Sequence, residues 1–146
     1  MNISFLPQWF LWAFAAAVFA ALTAIFAKMG LKNIDSDYAT FIRTVVILFA
    51  LSAFLSYTGK WQDPMTLSYK NWIFLVLSGL ATGASWLAYF KALQIGNATQ
   101  VAPVDKFSVV LTTVFAVVFL AERPTAREWL GIALISTGVL VLALRR

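Results

Sequence analysis

The sequence contains no cysteine and no histidine. Disulfide scaffolds, thiolate nucleophiles, cysteine or histidine zinc sites and imidazole acid–base chemistry are excluded together. Most enzyme classes go with them, and no enzymatic activity and no metal are expected. Charge is also scarce: 12% of the 146 residues are charged, against about 25% in a typical soluble domain. A water-soluble chain of this length needs charge to cover its outside. With 62% hydrophobic residues and a mean hydropathy of +0.84, the chain belongs in a lipid bilayer instead. A phosphate-binding loop of the form G-x-x-x-x-G-K-[ST] is absent, so no nucleotide or other cofactor is expected. The net charge of +5 does not mark a nucleic-acid surface. The positive residues stand singly between apolar runs, as membrane-edge residues do, and no nucleic-acid partner is expected.

The apolar runs fit a hydrocarbon core of about 30 Å, which a helix crosses in roughly 20 residues. Five qualify, at about residues 9–31, 38–57, 72–92, 101–121 and 127–144, and predict an all-α integral membrane protein with residues 1–146 as a single domain. The first run carries no charge before Lys28 and continues past its alanines, so it reads as a helix rather than a cleaved signal peptide. Trp9, Trp12, Trp61, Trp72 and Trp129 fall at predicted helix ends, where an amphipathic ring prefers the headgroup level. Trp86 alone lies deep in a helix. The longest link, between the second and third runs, carries Trp61, Met65, Leu67 and Tyr69 and is expected to lie partly in the interface.

Five spans put the two termini on opposite sides of the membrane. Lys28, Lys32, Lys91, Arg145 and Arg146 then lie on one side, and Lys60, Lys70, Arg123 and Arg127 on the other. That is 5 against 4, or 7 against 4 with Arg43 and Lys106 added to the first side. The bias leans weakly toward an external amino terminus, and leaves insertion in both senses open.

Helices in lipid associate through small residues and hydrogen bonds. Gly79 and Gly83 form a G-x-x-x-G on the third helix, flanked by Ser78, Thr82 and Ser85, and Gly131 and Gly138 share nearly one face of the fifth. These four glycines are expected to mark close helix packing, within one chain before a dimer seam.

Charged residues at membrane depth are costly and therefore informative. The candidates are Arg43 in the second run and the neighbours Asp105 and Lys106 in the fourth. Neighbouring helix residues diverge by about 100°, so Asp105 and Lys106 are not expected to pair across one face. Two readings stand. Either the pair marks the helix edge, with Lys106 snorkelling outward, or Asp105 faces a cavity and meets Arg43 or a substrate cation beside the opening turn disturbed by Pro103. Glu122 and Arg123 mark the far water boundary. Trp86 and Tyr89, three apart, form either an aromatic wall for a flat or cationic substrate or ordinary packing.

The stretch SWLAYFKALQIGNATQVAPVDKFSVVLTTVFAVVFLAERPTAREWLGIALISTGVLVL strongly resembles the EamA domain of the drug/metabolite transporter superfamily. The resemblance rests on Tyr89 to Leu93, on Ala102-Pro103, on Glu122, and on the Gly131 to Gly138 segment. It covers residues 85–142, and the first 84 residues match by helix count and spacing. One departure is Ala121, where the family usually has glycine, a change expected to touch local packing. The resemblance implies transport of a small metabolite or drug-like solute by two five-helix repeats inverted relative to each other. A single repeat must find its inverted partner in another chain, so the expected partners are the lipid bilayer, a small-molecule substrate, and either an antiparallel second copy or a related half-size chain. A non-transporting accessory subunit and, by likeness to small multidrug-resistance relatives, half of a lipid-linked sugar translocase are the competing readings. The inner membrane of a prokaryote is the expected location.

Overall fold

The structure is a computed structural model that describes residues 7–144. Six α-helices follow one another: α1 (Gln8–Gly30), α2 (Ser36–Thr58), α3 (Tyr69–Ile95), α4 (Ala98–Asp105), α5 (Ser108–Leu120) and α6 (Ala126–Ala143), with a short 3₁₀ turn at Pro64–Thr66. α4 and α5 together make one apolar span, Ala98–Leu120, so the described residues contain five helices long and apolar enough to cross a membrane. The protein is an all-α integral membrane protein.

The fourth span is broken where the sequence places a proline. Pro103 has no N–H for the helical ladder and its ring crowds the carbonyl four residues earlier. Past it the backbone tightens to i→i−3 bonds, Lys106 N–H to the Pro103 carbonyl (3.0 Å), Phe107 to Val104 (2.9 Å), Val109 to Lys106 and Val110 to Phe107 (both 3.0 Å). Such a 3₁₀ stretch inside a span divides it into two rigid rods.

Helix ends are closed by residues chosen for the purpose. The Asp35 carboxylate accepts from the N–H groups of Asp37 (2.9 Å) and Tyr38 (3.2 Å) at the start of α2. Those two bonds hold its pKa below the ordinary aspartate value. Thr125 and Glu128 form a reciprocal capping box at the start of α6. Gly59 ends α2 in the left-handed region at φ 63°. Ala121 ends α5 the same way at φ 55°, and the Glu122 N–H turns back to the Ala116 carbonyl at 3.2 Å. Glycine is therefore favoured at position 121 for its backbone freedom.

The chain forms two compact units, residues 1–95 and 96–146. In the first, α3 packs against both α1 and α2. Its buried residues are Ala24, Leu31, Ser36, Thr40, Phe90 and Leu93, all from the end of α1, the start of α2 and the end of α3. Lys28 reaches across there to donate to the Leu93 carbonyl at 2.6 Å, one of the four that α3 cannot satisfy itself. Gln94 donates to the Ile34 carbonyl at 2.8 Å. In the second unit α6 packs against α4 and α5, and Val139 is its buried apolar residue.

Two measurements check the caps. Ala121→Gly should stabilise the protein by about 1 kcal/mol in thermal or denaturant unfolding, because it relieves a left-handed alanine; Gly59→Ala should do the reverse. The folded-state pKa of Asp35 is depressed, so its contribution is present above the unfolded-state pKa and is lost as pH falls through the folded-state value. Asp35→Asn should keep the cap and flatten that acid limb of the stability profile, whereas an unchanged limb would place its origin in another carboxylate.

Candidate functional site

The charge at membrane depth that matters most in the first unit is Arg43. It lies seven residues into α2, about 10 Å along the helix, and its guanidinium carbon sits 4.5 Å from the Trp86 ring centre and 4.7 Å from that of Phe90. Trp86 and Phe90 are four apart on α3 and share a face, which is why one side chain from α2 meets both. Their rings stabilise the cation by its charge against their π faces. One terminal nitrogen, Nη1, is buried and has no hydrogen-bond partner.

Arg43 and Phe90 also line a cleft of about 360 Å³ between α1, α2 and α3. The other walls are mainly apolar, including Phe26 and Leu31 near the end of α1 and Ile42 beside the arginine. A space of this size with a convergent cation and apolar walls has the character of a small-molecule site.

Of the sequence candidates, Arg43 and Trp86 are thus brought together. Tyr89 is half-buried beside them and meets Phe90 edge-on, with ring centres 6.1 Å apart. The aromatic surface is built on 86 and 90 more than on 86 and 89, and the Trp86 face is turned to the protein's own cation. Phe90 was not singled out from sequence; its signal was the four-residue spacing from Trp86.

Asp105 and Lys106 lie in the second unit and, against expectation, pair with each other: Lys106 Nζ is 3.3 Å from Asp105 Oδ2. The 100° argument fails because α4 ends at Asp105. Lys106 belongs to the break, and its four-carbon stem reaches back. Both side chains are exposed enough that the pair adds little stability. α4 begins at Ala98 rather than near Val101, so Asp105 lies seven residues in, deeper than the sequence reading placed it. Arg43 and Asp105 belong to different units.

At Gly79, Gly83, Gly131 and Gly138, leaving aside the chain neighbours and the helix's own nearby backbone, no described atom of the same unit lies within 4 Å of where a Cβ would sit. Thr82 spends its hydroxyl on the Ser78 carbonyl of its own helix (2.9 Å). Gly131 borders a second cleft, of about 590 Å³, in the second unit, where Glu122 and Arg123 lie at the α5–α6 turn. Among the described residues no cluster of His, Cys, Asp or Glu could hold a metal ion.

A family model described as the EamA-like transporter family matches residues 7–144. A protein of Sinorhizobium sp. described as an uncharacterized transporter in the cobO 3′ region is 54% identical over 136 residues, 93% of this chain and 96% of that protein. The uncharacterized transporter YxxF of Bacillus subtilis is 30% identical over 137 residues, again 93% of this chain but 42% of the relative. A probable 4-amino-4-deoxy-L-arabinose-phosphoundecaprenol flippase subunit, ArnE, of Yersinia pestis is 29% identical over 84 residues, 57% of this chain and 74% of that protein. No solved structure matches the chain.

The cation–π contact gives a direct test. In a double-mutant cycle of Arg43→Gln and Trp86→Leu, the two changes should be non-additive by about 1 kcal/mol in unfolding free energy. Strict additivity would show that the ring and the guanidinium do not act on each other.

Proposed function

The chain belongs to the EamA-like transporter family, and from that premise we propose that it is a secondary carrier or exchanger of a small metabolite or drug-like solute, working as a dimer of inverted halves in the inner membrane of a prokaryote. It performs no covalent chemistry on its solute. It uses no cofactor, and its energy comes from a gradient or from exchange. The observation that supports the dimer is the set of four glycines with no described atom of their own unit against them beyond their own helix. Small residues on membrane helices let a second backbone approach closely.

Parity supports the inversion. Five spans in tandem automatically invert a second copy, and carriers of this kind place the solute near the midplane between inverted repeats and rock one against the other. The alignment with 96% of the Sinorhizobium relative and 42% of the Bacillus relative supports a family that has both single and longer forms. The near-balanced positive charge, 5 against 4, favours an antiparallel homodimer. The likeness to a flippase subunit favours the second reading, in which the chain is one half of a heteromeric translocase or an accessory subunit that moves nothing alone.

Asp105 is the candidate for coupling. It is an acidic side chain at the Pro103 break of the fourth span, where the hinge-like backbone and a carboxyl group coincide. Lys106 is its paired counter-charge, 3.3 Å away.

Purified chain alone in proteoliposomes should accumulate solute under an imposed gradient, whereas flux that appears only on adding a second chain would establish the accessory reading. Asp105→Asn should abolish gradient-driven uptake and preserve assembly. Normal uptake with the same pH dependence would make Asp105 an edge residue. Gly79→Leu and Gly83→Leu should leave the helix content unchanged and lower the dimer fraction, because the added side chains keep a second backbone from approaching closely. Undiminished dimer in both variants would place the seam elsewhere.

A further inference from the structure

Among the described residues Arg43 holds the one charge on the wall of the cleft in the first unit, and no aspartate or glutamate lines that space. On α3 its guanidinium meets the Trp86 and Phe90 rings, with Tyr89 as an electrostatic neighbour. Ring contacts engage the flat face of a guanidinium. Its N–H bonds point outward in the plane, and they are the part of the group suited to a forked acceptor. Nη1 is buried without such an acceptor. A buried donor left unmade is rare, and a guanidinium turning its fork toward the adjoining cleft would meet an occupant there. Water is a poor one here, since a buried water needs two to four polar partners and the walls are largely apolar.

We infer that this cleft binds a small, soluble organic oxyanion, a carboxylate or phosphate carried on an apolar body. Arg43 takes the oxyanion through in-plane hydrogen bonds, and Phe26, Leu31 and Ile42 receive the apolar part. A cation is disfavoured by the like charge of Arg43. A neutral solute gains the apolar walls but leaves the guanidinium without its counter-charge. The volume of about 360 Å³ lies near the lower end of small-molecule sites, which limits the solute to metabolite size. The inference rests on the carrier reading and supplies the solute's charge class.

The test is equilibrium binding of para-fluorobenzoate, followed by fluorine NMR, to the full chain in nanodiscs of zwitterionic phosphatidylcholine. The uncharged isostere para-fluorobenzamide is the control. The carboxylate should bind saturably and about tenfold or more tightly than the amide, since the charge-assisted pair is lost in the latter. Arg43→Gln should remove that preference, and Arg43→Lys, which keeps the charge but not the planar fork, should restore part of it. Equal binding of carboxylate and amide to the unaltered chain, a reading that needs no variant to fold, would overturn the inference. So would absence of saturable carboxylate binding. Changing the disc lipid to phosphatidylglycerol separates the two sources of an oxyanion. Saturable probe binding that persists supports a soluble solute, and its abolition would overturn that assignment in favour of a lipid phosphate. Binding requires no flux, so the two readings fail separately. Arg43-dependent binding by a chain that moves nothing defeats the carrier reading alone. Transport indifferent to Arg43 and to solute charge defeats this inference alone.

Discussion

In hydrocarbon a polar group has no water to turn to, so each must be met from within the protein. This constraint shapes the chain at every level. The backbone is helical across the spans because a helix closes its own ladder. The hydroxyls of Thr40, Thr44, Thr82, Thr113, Ser136 and Thr137 each donate to the carbonyl four residues earlier on the same helix. At the helix ends, where four groups are orphaned, Asp35 and Thr125 supply acceptors for α2 and α6, and Lys28 supplies a donor for α3. Arg43 is where the rule is met only in part. Two rings satisfy its charge, yet one nitrogen stays buried without an acceptor. It belongs to the same residue that lines the cleft, which is why the proposed anion site is placed there.

The same environment explains why so little of the chain is buried. Among the described residues only seven are, and six of them close one end of the α1–α2–α3 unit. Lipid is as apolar as leucine, so exposed side chains such as Phe19, Phe49 and Leu80 cost nothing by facing it. Specific association must then come from backbone approach. In the proposed dimer Gly79, Gly83, Gly131 and Gly138 supply the surface for that approach, and the backbone break after Pro103 supplies a joint for the proposed carrier.

Much of this was legible in the amino-acid sequence, because apolar run length and the scarcity of charge have one physical meaning. The five spans and the membrane class follow from them, and they also mark Arg43 and Trp86, which the structure brings together. What escaped depends on where a helix starts or stops. Placing the start of α4 at Ala98 rather than Val101, and its end at Asp105, deepened Asp105 and let Lys106 pair with it. Phe90 was hidden because the deep Trp86 drew attention to Tyr89 rather than to the residue one turn on. The role of position 121 is a backbone dihedral, which composition does not display. Glycine patterns, conversely, announce close contact without saying whether the partner lies in the same chain.

The chain's lack of cysteine allows its arrangement in the membrane to be read with one introduced thiol. Gln62→Cys places that thiol in the exposed link between α2 and α3, which should be accessible from one face of the membrane in each molecule. A membrane-impermeant maleimide applied from either side of intact cells or vesicles should label a substantial fraction of molecules from each, as the proposed antiparallel homodimer requires. Labelling from a single side, with the remainder reached only after the membrane is opened and none from the other face, would contradict the antiparallel homodimer.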